Sequence, residues 1–212
     1  NADVQFAGKD IIVQEFNTKF GEVSAKAQGS INLDQGYDLT ANVEPTAVSR
    51  LLTAVDLDPS QIPISGTIAA QIDITGELNN PQLNITANST ETTTVDQIKM
   101  SGFQTEVSIQ ETQVIIETFQ ATPQTGGEIT AQGTVDLTPE QTIALDVEVK
   151  DVSGEAIRSY QANLPDDLGT LNASAEITGS LKDWTNFQGT GTANLAIAEG
   201  TVTLPQLQLS QG

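Results

Sequence analysis

Apolar residues alternate with Thr, Gln, Asp and Glu along most of the chain, and residues 68–75 give a clear example. There Ile68, Ile72 and Ile74 occupy every second position with Ala70. Such alternation is typical of β-strands that turn one face to an apolar environment and the other to water. One-faced strands favour an antiparallel sheet, because a parallel sheet covered on both faces shows continuous apolar runs. The pattern predicts a mainly β fold, an antiparallel sheet of about fourteen strands.

Two stretches break this alternation and predict short amphipathic helices. Residues 45–55 begin with Pro45, which is tolerated at a first helical position. A second helix is predicted near 154–162. Helical spacing places the apolar residues of each stretch on one face of the helix, and we expect that face to lie on the sheet. The apolar residues are Val48, Leu51, Leu52 and Val55 in the first helix and Ile157 and Tyr160 in the second.

The chain also repeats itself with a period of about 104 residues. Val4 matches Val107 and Phe16 matches Phe119 at an offset of 103, and the segment 28–33 matches 132–137 at an offset of 104. An ordered series of matches over the whole chain indicates tandem structural units. We expect one β-unit in residues 1–103 and a second in residues 104–212, each with one helix. The phase of the repeat suggests an excerpt of a longer array, with neighbouring repeats of the same chain on either side.

Composition removes several classes of function. The chain has a formal net charge of −20 and contains neither Cys nor His. A strongly acidic surface repels nucleic acid. Without Cys or His, the chain has no disulfide framework, no thiolate nucleophile, no Ser-His-Asp triad and no ordinary zinc site. We therefore expect a protein that is not an enzyme, with no catalytic residues, no cofactor and no metal.

Short motifs at the strand ends resemble those of one family. Residues 74–78 read Ile-Thr-Gly-Glu-Leu and are followed by Pro81 and Leu83, and residues 177–181 repeat Ile-Thr-Gly-Ser-Leu. Their succession in two copies is similar to the TamB/AsmA-like family, which includes the translocation and assembly module subunits and their chloroplast inner-envelope relatives. The resemblance implies a curled sheet, called a β-taco, with an apolar groove. It also implies a periplasmic or intermembrane location, an inner-membrane anchor outside this segment, and an outer-membrane β-barrel assembly partner.

The apolar face of the predicted sheet would form that groove and hold phospholipid acyl chains. Each methylene group removed from water gains about 0.8 kcal/mol, so tails need no specific polar contact. The expected lining consists of alternating aliphatic positions with one aromatic: Val4, Phe6, Val13, Ile31, Leu33, Val43, Ile68, Ile72, Ile74, Ile85, Ile109, Ile116, Val135, Leu137, Val147, Ile177, Leu195 and Ile197.

A second interpretation is an acidic structural β-sandwich repeat from a surface adhesin. Such a repeat would be a closed domain with a linker rich in Pro, Gly or Ser near residue 104. Residues 101–107 instead continue the strand pattern, which favours a continuous array.

Overall fold

The computed structural model describes residues 2–54, 58–60, 63–158, 168–180, 182–198 and 200–209. Within these ranges the chain forms fifteen strands and two short helices. In chain order they are β1 (Ala2–Ala7), β2 (Asp10–Phe20), β3 (Val23–Asn32), β4 (Gly36–Ala47), α1 (Val48–Ala54), β5 (Ile64–Ser65), β6 (Thr67–Glu77), β7 (Asn80–Ser89), β8 (Thr93–Val95), β9 (Ile98–Gln110), β10 (Gln113–Pro123), β11 (Glu128–Asp136), β12 (Thr142–Ser153), α2 (Gly154–Arg158), β13 (Leu168–Ser180), β14 (Asp183–Ile197) and β15 (Gly200–Leu209).

All fifteen strands belong to one open antiparallel sheet. Its order is β1-β2-β3-β4-β6-β7-β9-β10-β11-β12-β13-β14-β15, with the short strands β5 and β8 paired beside this path. The predicted mainly β, antiparallel architecture with two short helices is confirmed. The boundary drawn between residues 103 and 104 falls inside β9, so the sheet passes from one unit to the next without a break.

The two units bend their strands at matching places. In the β2–β3 pairing one extra residue lies on β2 between Val13 and Phe16, and the β10–β11 pairing has the same bulge between Ile116 and Phe119. A bulge bends its strand and increases the local twist. The sheet therefore acquires a bend of the same kind twice, about one repeat apart.

A glycine pairs with the residue that precedes each of these bulges. Gly29 pairs with Val13 at φ +132°, and its counterpart Gly133 pairs with Ile116 at φ +155°. A Cβ atom added to either glycine would lie 2.1 Å from a backbone carbonyl oxygen of the next strand, that of Asp38 or Ala144. No side chain fits so close an approach, and these φ angles also disfavour residues other than glycine.

The first helix begins later than its sequence predicts. Pro45 lies in β4 rather than in a helix, because β4 continues to pair with β6 through Thr46 and Ala47. Proline is tolerated there since it falls in the bulge between Val43 and Thr46, where the ladder skips a residue. The described part of the second helix is Gly154–Arg158, and the remainder of the predicted 154–162 segment lies outside the described residues.

Many of the best-buried residues lie at one end of the strands, the end from which the helices extend. The helices follow β4 and β12, which point the same way because they stand an even number of places apart in an antiparallel order. They therefore share one end of the strands, which we call the helix rim. Buried there are Val48, Met100, Val152 and Ala156, at 8%, 3%, 3% and 6% exposure.

Candidate functional site

Cross-strand pairing aligns apolar side chains in rows that run across the sheet. Directly paired residues on neighbouring antiparallel strands share a face. One row passes through Ala41, Ile72, Ile85, Val107, Ile116, Gly133, Leu145 and Ile177. A second passes through Leu39, Ile74, Leu83, Ile109, Val114, Val135 and Ile143. These rows extend from β4 in the first unit to β12 or β13 in the second, and we call this side of the sheet the apolar face.

The register places all the strand residues predicted to line a groove on this apolar face. They are Val4, Phe6, Val13, Ile31, Val43, Ile68, Ile72, Ile74, Ile85, Ile109, Ile116, Val135, Val147, Ile177, Leu195 and Ile197. Leu33 and Leu137 follow the ends of β3 and β11, and each donates its backbone N–H to a neighbouring turn, at Lys9 and Thr112. The strand residues of the predicted set therefore share one face of the sheet.

Coverage of the apolar face is incomplete. Val135 is 9% exposed, whereas Phe6 is 78%, Leu33 55% and Leu137 47% exposed. All strands within the described ranges belong to one sheet, so none of them forms a second sheet over this face. The helices pack on a small part of the sheet: α1 against β3, β4 and β5, and α2 against β12 and β13. Part of the apolar surface is therefore exposed, most of all at Phe6, Leu33 and Leu137.

The predicted helix face is partly described. In α1, Val48 is buried, while Leu51 and Leu52 are half-buried. An ion pair of 2.8 Å joins Nε of Arg50 to a carboxylate oxygen of Glu22, beside the turn that leads into β3. Val55 and Tyr160 lie outside the described residues, and the side chain of Ile157 is not among those described.

The opposite side of the sheet, which we call the polar face, carries hydroxyl, amide and carboxylate groups. Thr40 donates its hydroxyl to Asp73 Oδ1 at 2.7 Å, and Gln71 Nε2 donates to Asp73 Oδ2 at 3.1 Å. The Thr40 hydrogen bond, together with that of Gln71, lowers the pKa of the Asp73 carboxyl, and partial burial opposes them. This carboxylate is held ionised by its neighbours on the same face.

A cavity of about 710 Å³ lies on the polar face across β10–β14. Two rows of paired polar residues line it: Gln120, Thr130, Glu148, Ser174 and Thr192 in one, and Gln132, Asp146, Glu176 and Thr190 in the other. The alternation in the sequence predicts a polar face turned to water but gives no sign of this cavity. Alternation specifies which face a residue occupies, whereas a concavity depends on how the sheet bends.

The cavity is acidic but offers no recognisable cation site. Nζ of Lys150 lies 3.2 Å from a carboxylate oxygen of Glu148, an exposed pair. Among the described residues, no three Asp or Glu side chains group closely enough to hold a metal ion.

Neither described helix is long and apolar enough to cross a membrane. Comparison with protein-family models, with curated proteins and with solved structures gives no match.

Proposed function

We propose that this chain is a segment of an envelope-spanning, TamB-like protein, and that its apolar face carries lipid acyl chains or supports outer-membrane protein assembly. The observation that carries this proposal is the continuation of the apolar rows from the first unit into the second. Half-buried aliphatic side chains such as Ile72, Ile85 and Ile116 follow one another from strand to strand. A surface with this composition favours hydrocarbon over water.

Hydrocarbon tails would be held without specific polar contacts. Each buried methylene group contributes about 0.8 kcal/mol, so burial of apolar surface is sufficient to retain a tail that covers several strands. Because successive strands offer nearly the same aliphatic surface along each row, one position differs little in energy from the next. A tail can therefore move across the strands in small steps, as transfer along the molecule requires.

The polar face contributes to the same function through its negative charge. Asp73, Glu148 and Glu176 lie on that face, and the whole chain has a net charge of −20. Like charges repel anionic lipid headgroups from this side. Lipid tails are thereby directed to the apolar face, while the polar face stays hydrated.

The cellular setting rests on the resemblance of the Ile-Thr-Gly-x-Leu motifs at residues 74–78 and 177–181. We place the segment in the periplasm or the intermembrane space. The parent protein would be anchored in the inner membrane and would meet an outer-membrane β-barrel assembly partner at its far end. Neighbouring repeats of the same chain would extend the apolar face, and neither nucleic acid nor a cofactor takes part.

The adhesin interpretation receives less support. It requires closed sandwiches separated by a linker near residue 104, but β9 (Ile98–Gln110) passes through that position and pairs with strands of both units, β7 and β10. An open sheet that continues through both units favours one shared apolar face over two closed sandwiches.

The first prediction tests the apolar face with two added charges. We expect the double variant Ile74→Asp, Ile177→Asp to transfer fluorescent phosphatidylethanolamine between vesicles at least about tenfold more slowly than the unaltered chain. The reason is that a carboxylate among the methylene groups of a lipid tail removes favourable contact and must stay hydrated. Vesicles with a fluorescent lipid and a quencher measure the rate, and far-UV circular dichroism checks the fold.

A matched control adds the same two charges to the other face. Thr75 and Thr178 follow the altered residues directly and therefore point to the polar face. We expect Thr75→Asp, Thr178→Asp to keep the transfer rate. Unchanged transfer by a folded Ile74→Asp, Ile177→Asp variant, or equal losses in both double variants, would contradict the proposal.

A further inference from the structure

Two phenylalanine rings stack on the apolar face where the first unit meets the second. The ring centroids of Phe103 in β9 and Phe119 in β10 are 5.9 Å apart, and the ring planes are inclined by 24°. Phe103 and Thr105 precede Val107 by even numbers of residues, so they share its face, and Phe119 pairs directly with Thr105. We call Phe103 and Phe119 the aromatic pair. It lies beside the boundary between residues 103 and 104.

The aromatic pair interrupts a row of small side chains on the apolar face. This row lies one step nearer the helix rim than the row through Val107 and Ile116. Phe119 is its single aromatic member, and every other member is no larger than valine. The row passes through Ala25, Val43, Ala70, Ala87, Thr105, Phe119, Ala131, Val147, Ala175 and Gly191.

The two rings, and not the alanines beside them, form the accessible surface at this point. Ala87 pairs with Thr105, and Ala121 pairs with Phe103. These alanines are 6% and 1% exposed, whereas Phe103 and Phe119 are half-buried. A hydrocarbon tail that lies along the small side chains of one unit therefore meets two aromatic rings before it reaches those of the other unit.

The aliphatic rows beside the aromatic pair continue from one unit to the other. Val107 pairs with Ile116 and Ile109 pairs with Val114, and neither row contains an aromatic residue between β4 and β12. Stacked rings hold each other in place, because a ring that turns away loses contact with its partner. Passage between the units is therefore easier over the aliphatic rows than over the aromatic pair.

We propose that the aromatic pair divides the part of the apolar face nearest the helix rim into one acyl-chain compartment for each unit. Tails then cross from one unit to the other over the Val107–Ile116 and Ile109–Val114 pairs, and the aromatic pair limits the rate of that crossing. This inference rests on the proposed function, since it concerns the path of tails that the apolar face carries.

The test measures lipid transfer along a chain whose two ends are held on different vesicles. The 212-residue chain carries biotin at its first residue and a hexahistidine tag at its last. Biotin attaches it, through streptavidin, to phosphatidylcholine vesicles that contain fluorescent phosphatidylethanolamine and a quencher, and the tag attaches it to phosphatidylcholine vesicles that contain a nickel-chelating lipid. Lipid that travels along this chain must cross the junction between the units. A chain tethered to the donor vesicle alone measures exchange that does not require this crossing.

Three variants alter the junction in different ways. Phe103→Ala, Phe119→Ala continues the row of small side chains and should raise the rate along the doubly tethered chain at least about threefold. Ile116→Phe adds a ring to an aliphatic row and should lower that rate at least about threefold. Ile115→Phe is the matched control: Ile115 pairs with Ser108 on the polar face, so we expect a rate within about twofold of the unaltered chain. Far-UV circular dichroism checks each fold.

The singly tethered chain separates the two proposals. There we expect all three variants to exchange lipid within about twofold of the unaltered chain, because no tail has to cross the junction. Equal rates for all folded variants on the doubly tethered chain, or a lower rate for Phe103→Ala, Phe119→Ala, would overturn the inference and leave the proposed function in place. The absence of lipid transfer by the unaltered chain in both arrangements would overturn the proposed function and, with it, the inference.

Discussion

The two units of this sheet share the backbone geometry that bends it but differ in the polar residues that meet across the bend. Gly29 and Gly133 lie beside matching bulges, and each is held against a backbone carbonyl of the following strand. A further bulge recurs in the next strand of each unit, between Val43 and Thr46 in β4 and between Val149 and Val152 in β12.

One pair on the polar face differs in chemistry between the units. In the first unit Thr40 lies opposite Asp73 and donates a hydrogen bond to it. Glu176 occupies the place of Asp73 in the second unit, since each directly precedes a matched isoleucine. The residue opposite Glu176 is Asp146, so two carboxylates face each other there, beside the cavity.

Comparison of the two units shows which residues the bend of the sheet requires and which residues can vary. A carbonyl 2.1 Å from an added Cβ admits only glycine, so both units keep it. The polar face is in contact with water, where hydrogen-bonded and like-charged pairs differ by a modest energy. The second unit can therefore present a more acidic concave surface without altering the bend of its strands.

We expect the largest effect on stability from substitution of the glycines that lie beside the two matching bulges. We expect Gly29→Ala and Gly133→Ala each to destabilise the chain by about 2–4 kcal/mol, because the added methyl group meets a backbone carbonyl and the φ angle disfavours alanine. Urea unfolding followed by circular dichroism measures the loss. Gly8→Asn is the control: Gly8 has φ +68° and no atom within 4 Å of an added Cβ, so we expect a loss below about 1 kcal/mol. A similar cost at Gly8 and Gly133 would show that the close approach is not the cause.

Sequence patterns predicted the strands and their faces because each depends on local alternation. Ile68, Ile72 and Ile74 share a face at any curvature of the sheet. Pro45 was assigned wrongly to a helix, since the bulge that accommodates it in β4 arises from pairing with β6, which no local pattern reveals. The cavity on the polar face was missed for the same reason: it needs Thr130, Glu148 and Ser174 side by side on three bent strands.

A smaller effect is expected from making the second unit resemble the first. Asp146→Thr removes one of two facing carboxylates, and we expect it to stabilise the chain by about 0.5–1 kcal/mol at low salt. Screening reduces repulsion between exposed charges, so the gain should shrink in 1 M NaCl, where the Debye length is about 3 Å. The same substitution in a Glu176→Gln background should give little gain. An equal gain in both backgrounds would assign the effect to residue 146 alone.

The smallest effect concerns the hydrogen bond that the second unit lacks. Thr40→Val removes the main donor to Asp73, and we expect a loss below about 1 kcal/mol at pH 7, since the pair is partly solvated. Because the folded-state pKa of Asp73 is lowered, its contribution is complete above the ordinary carboxyl pKa and is lost as the pH falls through the lowered value. The stability difference between Thr40→Val and the unaltered chain, measured by urea unfolding from pH 7 downwards, should therefore diminish only in the acidic range. A difference that is independent of pH would mean that Thr40 acts through packing and not through the ionised carboxylate.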